Sequence, residues 1–171
     1  MDKPPDKTAA LIVVDVQRGF VTPDTRGVPA AVRRHIEASR GEYAVTIASR
    51  FENPEGSSFE RLLGWAKMRE PGDADLRDEV AGAVNVVVRK TGYSALTPQA
   101  ADILASLGVT RVDVCGIDTD QCVLATLFAL WDAGFEPRLI AGASGSAGGP
   151  DAHAAGLAAA RRAIGPDRVV G

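Results

Sequence analysis

The sequence predicts a doubly wound, Rossmann-like α/β fold, in which a mostly parallel sheet of about six strands carries helices on both faces. Two observations favour this fold class. Apolar segments of strand length alternate with segments of helix length, and most of the connections between them are short. The first strand-length segments are continuously apolar, as is typical of strands buried on both faces. We expect one domain over residues 1–171, because this length supports one core and leaves little room for a second.

Six apolar runs are the predicted strands. The clearest is Ala9-Ala10-Leu11-Ile12-Val13-Val14, in which every residue is apolar. The other five lie at residues 43–48, 84–88, 112–116, 138–141 and 168–170.

Four segments between these runs have helical spacing: residues 29–40, 98–107, 121–133 and 151–164. Pro29 and Pro98 stand where a first helical turn tolerates proline, and Thr97 is a suitable N-cap. Gly108 and Gly134 follow predicted helices at the position where a C′ glycine is favoured. These helices separate the strands as parallel crossover connections require.

The least regular stretch is residues 50–78, which is rich in Gly, Pro, Ser, Glu and Asp. It also holds large apolar side chains, among them Phe51, Phe59 and Trp65. A long loop of this composition in a compact domain is more often a binding loop than a linker.

Composition excludes several function classes. The net charge of −3 provides neither a basic surface for nucleic acid nor a polybasic membrane patch. Two cysteines, Cys115 and Cys122, are too few for a disulfide scaffold, and no run is long enough for a signal peptide or a membrane span. We therefore expect a soluble cytoplasmic protein with a flexible N-terminus at residues 1–8.

Three reactive side chains follow predicted strands. Asp15 follows the first strand, Lys90 ends the third, and Cys122 opens a helix after the fourth. Ligands bind at the carboxyl ends of parallel strands, so these residues are expected at one edge of the sheet. Taken singly, each has an ordinary alternative: Asp15 as a turn residue, Lys90 as a surface lysine and Cys122 as a packed apolar residue. Cys115, inside a strand, is expected to be buried and inert.

The three residue types together suit attack on an amide or ester carbonyl. A helix N-terminus and a nearby cation favour the thiolate, which is the nucleophilic form of cysteine. A carboxylate can take the thiol proton and return it to a leaving amine. Backbone N–H groups at a helix start can hold the oxyanion.

The motifs around these residues resemble the isochorismatase-like cysteine hydrolase superfamily, which includes nicotinamidases and N-carbamoylsarcosine amidases. The resemblance runs from about Ala9 to Val170. Its motifs are Asp15-Val16-Gln17 with Gly19-Phe20, residues 89–96 around Lys90, and residues 116–123 around Cys122.

The resemblance implies a role for each of these residues. Asp15 would be the general acid and base, Lys90 the cation that lowers the thiol pKa, and Cys122 the nucleophile. It also implies a cis peptide between Ile117 and Asp118, with the backbone N–H groups of Asp118 and Cys122 as the oxyanion hole.

The sequence departs from the family in its metal motif. Nicotinamidase-type members carry Asp-x-His-x-x-x-His after the second strand, whereas residues 49–56 contain no histidine. The only histidines, His35 and His153, lie in predicted helices and are expected at the surface. Glu52 and Glu55 could contact a cation, but two loop carboxylates alone do not indicate a metal site. We expect no metal and no cofactor, and hence no true nicotinamidase activity.

Two other departures concern single positions. Gly142 stands where many relatives carry an aspartate, and the Gly/Ser-rich segment 143–150 that follows is expected to be a loop. Asp118 is acidic where many relatives carry a small apolar residue. Directed inward, Asp118 would favour a substrate with a donor or a positive charge; directed outward, it is a turn residue. Isochorismatases proper replace the cysteine, so Cys122 argues against the namesake reaction.

Six residues on segments leaving the same sheet edge are the candidates for substrate binding. Phe20, Phe51, Trp65 and Tyr93 are candidate apolar walls, although core packing is an alternative for each, and Gln17 and Arg50 are candidate polar contacts. For Arg50, a surface ion pair is the alternative.

The sequence thus predicts a metal-independent cysteine hydrolase that cleaves a small-molecule amide or ureido C–N bond. Its partners would be an amide-like substrate and further copies of itself in a homo-oligomer. One alternative is a non-catalytic binding or scaffold protein of the same fold. Another is redox sensing or peroxide reduction by Cys122, for which Cys115 is a poor resolving partner.

Overall fold

The computed structural model describes residues 8–171, so that nearly all of the expected flexible N-terminus lies outside the described residues. The described chain forms a six-stranded parallel sheet with the order β3-β2-β1-β4-β5-β6. The strands are β1 (Ala9–Val14), β2 (Val45–Phe51), β3 (Val86–Lys90), β4 (Arg111–Ile117), β5 (Glu136–Gly145) and β6 (Val169–Val170). The predicted doubly wound sheet is confirmed, and strand order reverses between β1 and β4, where ligands bind in such sheets.

Helices connect the strands. They are α1 (Val28–Ala38), α2 (Ser58–Leu63), α3 (Pro71–Ala74), α4 (Asp78–Ala81), α5 (Pro98–Ser106), α6 (Leu124–Asp132) and α7 (Pro150–Ile164). A π-helical turn, Thr119–Val123, precedes α6. Thr97 caps α5 as predicted, because its side chain accepts a hydrogen bond from the N–H of Ala100. None of the helices in residues 8–171 combines the length and the apolar character that a membrane span requires.

Alternate residues of β1 face two separate halves of the core. Ala10, Ile12 and Val14 belong to the cluster under α5, α6 and α7, whereas Leu11 and Val13 belong to the cluster under α1 and α4. Side chains of successive strand residues point to opposite faces, so a continuously apolar strand is the one that both helix layers require.

Close backbone contact at the reversal point depends on a glycine. Gly116 of β4 has φ +124°, and a Cβ there would lie 2.1 Å from the carbonyl oxygen of Val14. No other residue type fits this position. The end of β4 is thereby brought against the end of β1, immediately before Asp15.

The predicted loop boundaries were partly wrong. β2 continues to Phe51, and β5 continues to Gly145, so the segment expected as a loop at residues 143–150 begins in the sheet. Between Val114 and Gly116 the partner in β5 changes from Leu139 to Ser144, which marks a bulge. Gly- and Ser-rich composition does not indicate a strand that resumes after a bulge. Two short helices, α2 and α3, lie within the predicted binding loop, residues 50–78, and α4 begins at its last residue.

Candidate active site

Asp15 and Lys90 form an ion pair beneath the carboxyl edge of the sheet. Lys90 Nζ lies 2.7 Å from Asp15 Oδ2, and both side chains are almost completely buried. The ammonium also donates hydrogen bonds to the carbonyl oxygens of Gly92 at 2.8 Å and Tyr93 at 2.7 Å. A buried charge pair with additional hydrogen bonds of this kind is held in one geometry.

Ser49 of β2 positions the carboxylate. Its hydroxyl donates to Asp15 Oδ1 at 2.6 Å and accepts from the backbone N–H of Asp15 at 3.1 Å. Asp15 has φ 49°, in the left-handed region that aspartate tolerates better than most residues. Sequence reasoning missed Ser49, although its place near the end of a neighbouring strand was a usable signal.

Cys122 lies in the π-helical turn, and its thiol is close enough to Asp15 and Lys90 for both side chains to affect its pKa. Burial and the negative charge of Asp15 raise the pKa of the thiol to about 12, whereas the charge of Lys90 lowers it. The net shift of the thiol pKa is therefore upward. Lys90 acts in the expected sense, but desolvation of the thiolate outweighs it.

The carboxylate is the group that can remove the thiol proton. Burial raises the pKa of Asp15, against the opposing effects of Lys90 and Ser49, and a raised pKa makes the carboxylate a stronger base. Transfer of the proton from Sγ to Asp15 leaves the net charge of the three side chains unchanged. Such a transfer avoids the isolated buried charge that ionisation to solvent would create.

A cavity of about 530 Å³ opens above the thiol. Of the three clustered residues, Cys122 lines it, whereas Asp15 and Lys90 lie underneath. The predicted wall residues Phe20, Phe51, Trp65 and Tyr93 all line the cavity, joined by Phe59 and Leu63 of α2. The rings contact one another, with Phe20 stacked on Trp65 at 6.2 Å and Phe59 edge-on to Tyr93 at 5.0 Å.

The two predicted polar contacts, Gln17 and Arg50, do not reach the cavity. Gln17 is fully buried; its Nε2 donates to the carbonyls of Phe51 and Ala74, and its Oε1 accepts from the N–H of Phe51. Arg50 donates to the carbonyl of Ala74 and pairs with Asp75 at 3.3 Å. Arg50 and Phe51 are consecutive in β2, so they point to opposite faces and cannot both line one site.

Asp118 points inward. It lines the cavity, and its Oδ1 accepts a hydrogen bond from the N–H of Ala147 at 2.7 Å. Burial, with the charges of Asp120 and Asp15, raises the pKa of Asp118 to about 6 against the effect of that hydrogen bond. The peptide between Ile117 and Asp118 is cis, as the family resemblance implies. Lys67, Gln121 and Gly148 also line the cavity and were missed by the sequence analysis. Lys67 and Gly148 lie in segments without a regular period, and Gln121 stands at the start of a predicted helix.

The acidic residues after β2 do not form a metal site. Glu52 is paired with Arg50 and Arg89, and within residues 8–171 no group of three or more His, Cys, Asp or Glu side chains is arranged to hold an ion. The residues present therefore do not fit the metal of nicotinamidase-type relatives.

The two histidines, which were expected at the surface, are partly buried. His35 Nε2 is 2.9 Å from Tyr43 Oη, and His153 Nδ1 is 2.8 Å from Thr119 Oγ1. Both serve packing contacts between elements. Cys115 is buried in β4, and burial raises the pKa of its thiol, as expected for an inert cysteine.

The fold and the Asp15–Lys90–Cys122 cluster at the reversal point define a doubly wound α/β protein with a thiol opening onto an apolar cavity. Residues 9–166 match the isochorismatase domain model, so the chain belongs to the isochorismatase family.

Known relatives and solved structures agree with this assignment. The chain is 32% identical to the streptothricin hydrolase of Streptomyces noursei over 126 residues, which are 68% of this chain and 46% of that protein. It spans less than half the length of the curated relatives that it matches. The N-carbamoylsarcosine amidase of Thermoplasma acidophilum superposes with a TM-score of 0.79 at 22% identity, over 92% of this chain and 93% of that one. A nicotinamidase from Bacillus subtilis gives 0.83 at 20% identity, over 96% and 99%.

Proposed function

We propose that this protein is a metal-independent cysteine hydrolase that cleaves a small-molecule amide or ureido C–N bond through a thioester on Cys122. One observation carries the proposal. Cys122 lines the apolar cavity, and a buried Asp15–Lys90 ion pair lies close enough to its thiol to affect the thiol pKa. The hydrolase and amidase names of the relatives support the same reaction class.

In the first half of the reaction, Asp15 takes the proton from Sγ while the sulfur attacks the carbonyl carbon of the substrate. A C–S bond forms, and the carbonyl oxygen becomes an oxyanion. The backbone N–H groups of Asp118 and Cys122 are the proposed donors to that oxyanion. The ammonium of Lys90 stabilises the negative charge as it moves between carboxylate and sulfur.

In the second half, the tetrahedral intermediate collapses. The C–N bond breaks, and the amine leaves with the proton that Asp15 holds. Asp15 then takes a proton from water as the water oxygen attacks the thioester. The C–S bond breaks, the acid is released and the sulfur recovers its proton.

The test is ammonia or amine release from a panel of small amides and ureido compounds, with intact-protein mass spectrometry to detect an acyl adduct. Wild type should release amine and carry a transient adduct on Cys122. Cys122→Ala should do neither while keeping its thermal unfolding midpoint. Wild-type turnover by Cys122→Ala would refute the mechanism.

A non-catalytic binding protein is the second candidate, because burial raises the thiol pKa to about 12 and thereby disfavours the thiolate. Saturable binding of small amides without amine release or an acyl adduct would favour this candidate. The homo-oligomer and the cytoplasmic location stay predictions.

A further inference from the structure

The cavity above Cys122 carries little charge. Among the described residues that line it, Asp118 is the one carboxylate and Lys67 the one ammonium; most of the remaining lining is aromatic or apolar. The two charges differ in their surroundings. Asp118 is partly buried, whereas Lys67 is exposed to solvent, where water and salt screen its charge. The field inside the cavity is therefore set mainly by Asp118.

Asp118 has one oxygen available to a ligand. Oδ1 accepts from the N–H of Ala147, and no residue in the described part of the chain donates a hydrogen bond to Oδ2. A partly buried carboxylate oxygen without a donor is costly unless a ligand or water supplies one. The buried pair beneath the cavity does not compensate for this charge, because Lys90 is already bound to Asp15.

The aromatic walls favour the same kind of ligand. Ring faces attract cations, and Trp is the strongest of the aromatic side chains in this respect. Lys90 already lies 5.2 Å from the centre of the Phe51 ring. Trp65, Phe59 and Tyr93 remain on the cavity side.

We propose that Asp118 selects substrates in which the amide is attached to a group bearing an ammonium ion, and that it excludes amides bearing a carboxylate. This inference rests on the proposed function, because it treats the bound amide as a substrate. The preference for an ammonium over a carboxylate is a property of the cavity, and binding measurements alone can test it. Asp118 acts here as a specificity-determining residue, through a charge-assisted hydrogen bond from the ammonium to Oδ2.

The test uses three amides of the same shape: 4-(aminomethyl)benzamide, 4-(hydroxymethyl)benzamide and 4-carbamoylbenzoate. Binding is measured by calorimetry at pH 8 on Cys122→Ala protein, which cannot turn them over by the proposed route. The ammonium amide should bind at least about 10-fold more tightly than the hydroxymethyl amide, and the carboxylate should bind more weakly than both.

A variant that lacks the negative charge of Asp118 tests the contribution of this residue. Asp118→Asn, in the same Cys122→Ala background, keeps an oxygen for the N–H of Ala147 and removes the charge. It should abolish the preference for the ammonium amide and change the affinity for the hydroxymethyl amide much less. Asp120→Asn is the matched control. Asp120 accepts a hydrogen bond from Ser146, the residue before Ala147, but Asp120 does not line the cavity.

Three outcomes would overturn the inference: equal affinity for the three amides, no measurable binding of the ammonium amide, or equal loss of affinity in Asp118→Asn and Asp120→Asn. Amine release by wild type separates the two proposals. Selective binding without amine release would refute the proposed function alone, and amine release without charge preference would refute the role of Asp118 alone.

Discussion

Thr126 joins the backbone of Cys122 to the loop that holds Lys90. Its Oγ1 donates to the carbonyl oxygen of Cys122 at 2.7 Å and accepts from the N–H of Ala95 at 2.9 Å. Ala95 follows Gly92 and Tyr93, whose carbonyls bind the ammonium of Lys90. One buried hydroxyl on α6 thus sets the nucleophile and the cation relative to each other.

Thr126→Val should lower kcat by about tenfold or more while leaving the affinity for substrate nearly unchanged. The variant keeps the shape of the side chain but leaves the buried N–H of Ala95 without its acceptor, at a loss of about 1–3 kcal/mol of stability. Steady-state kinetics and thermal unfolding check both effects. Thr126→Ser, which restores the hydroxyl, should recover kcat; failure of that recovery would show that the hydrogen bonds are not what matters.

Alkylation of Cys122 by iodoacetamide should be slow at neutral pH and should still be rising at pH 10. The pKa of the buried thiol is raised to about 12, so its thiolate fraction keeps growing where an ordinary cysteine, with a pKa of about 8.5, has levelled off. Mass spectrometry assigns the label to Cys122 or Cys115. A rate of Cys122 alkylation that levels off near pH 8 would contradict the argument that burial raises its pKa. Cys115 should remain unlabelled in the folded protein.

Asp15→Asn should shift that alkylation profile to lower pH and abolish turnover. The negative charge of Asp15 raises the pKa of the thiol, whereas the charge of Lys90 lowers it, so removal of the carboxylate leaves the thiolate beside the ammonium alone. Faster labelling together with loss of amine release would show that Lys90 favours the thiolate and that Asp15 is needed for proton transfer. Slower labelling would show that Asp15 is needed to ionise the thiol.

Binding of an ammonium amide should weaken as the pH falls through about 6. The pKa of Asp118 is raised to about 6, so the carboxylate is ionised above that pH and neutral below it. Asp120, Asp15 and Lys67 are the other charged groups around it. The profile of Asp118→Asn should be flat over this range; a parallel decline in that variant would assign the titration to another group.

Gly156→Ala should destabilise the protein by about 1–3 kcal/mol. A Cβ on Gly156 of α7 would lie 2.8 Å from the backbone nitrogen of Asp120 and the carbonyl carbon of Thr119, so the helix could not stay against the π-helical turn. Thermal unfolding measures the loss. Gly72→Ala is the control, since a Cβ there meets nothing within 4 Å; an equal loss in both variants would rule out the steric explanation.

The reactive residues were predictable because each ends or follows a strand. Chain order alone placed Asp15, Lys90 and Cys122 at one edge of the sheet. The orientation of Gln17 and Arg50 was not predictable, because it depends on which face of the sheet each strand residue takes. The direction in which the pKa of the Cys122 thiol shifts depends on how deeply the π-helical turn is buried, and patterns in a single sequence do not report that burial. Phe59 and Leu63 were missed as wall residues because α2 is too short to show a helical period.

Asp15 is fully buried and does not line the cavity, whereas Cys122 does. In the proposed reaction this imposes an order of events: the departing amine occupies the approach to Asp15, so water cannot be activated until the amine has left. The same vacated position admits any other small nucleophile. The acyl group on Cys122 would then pass to hydroxylamine or a second amine in competition with water.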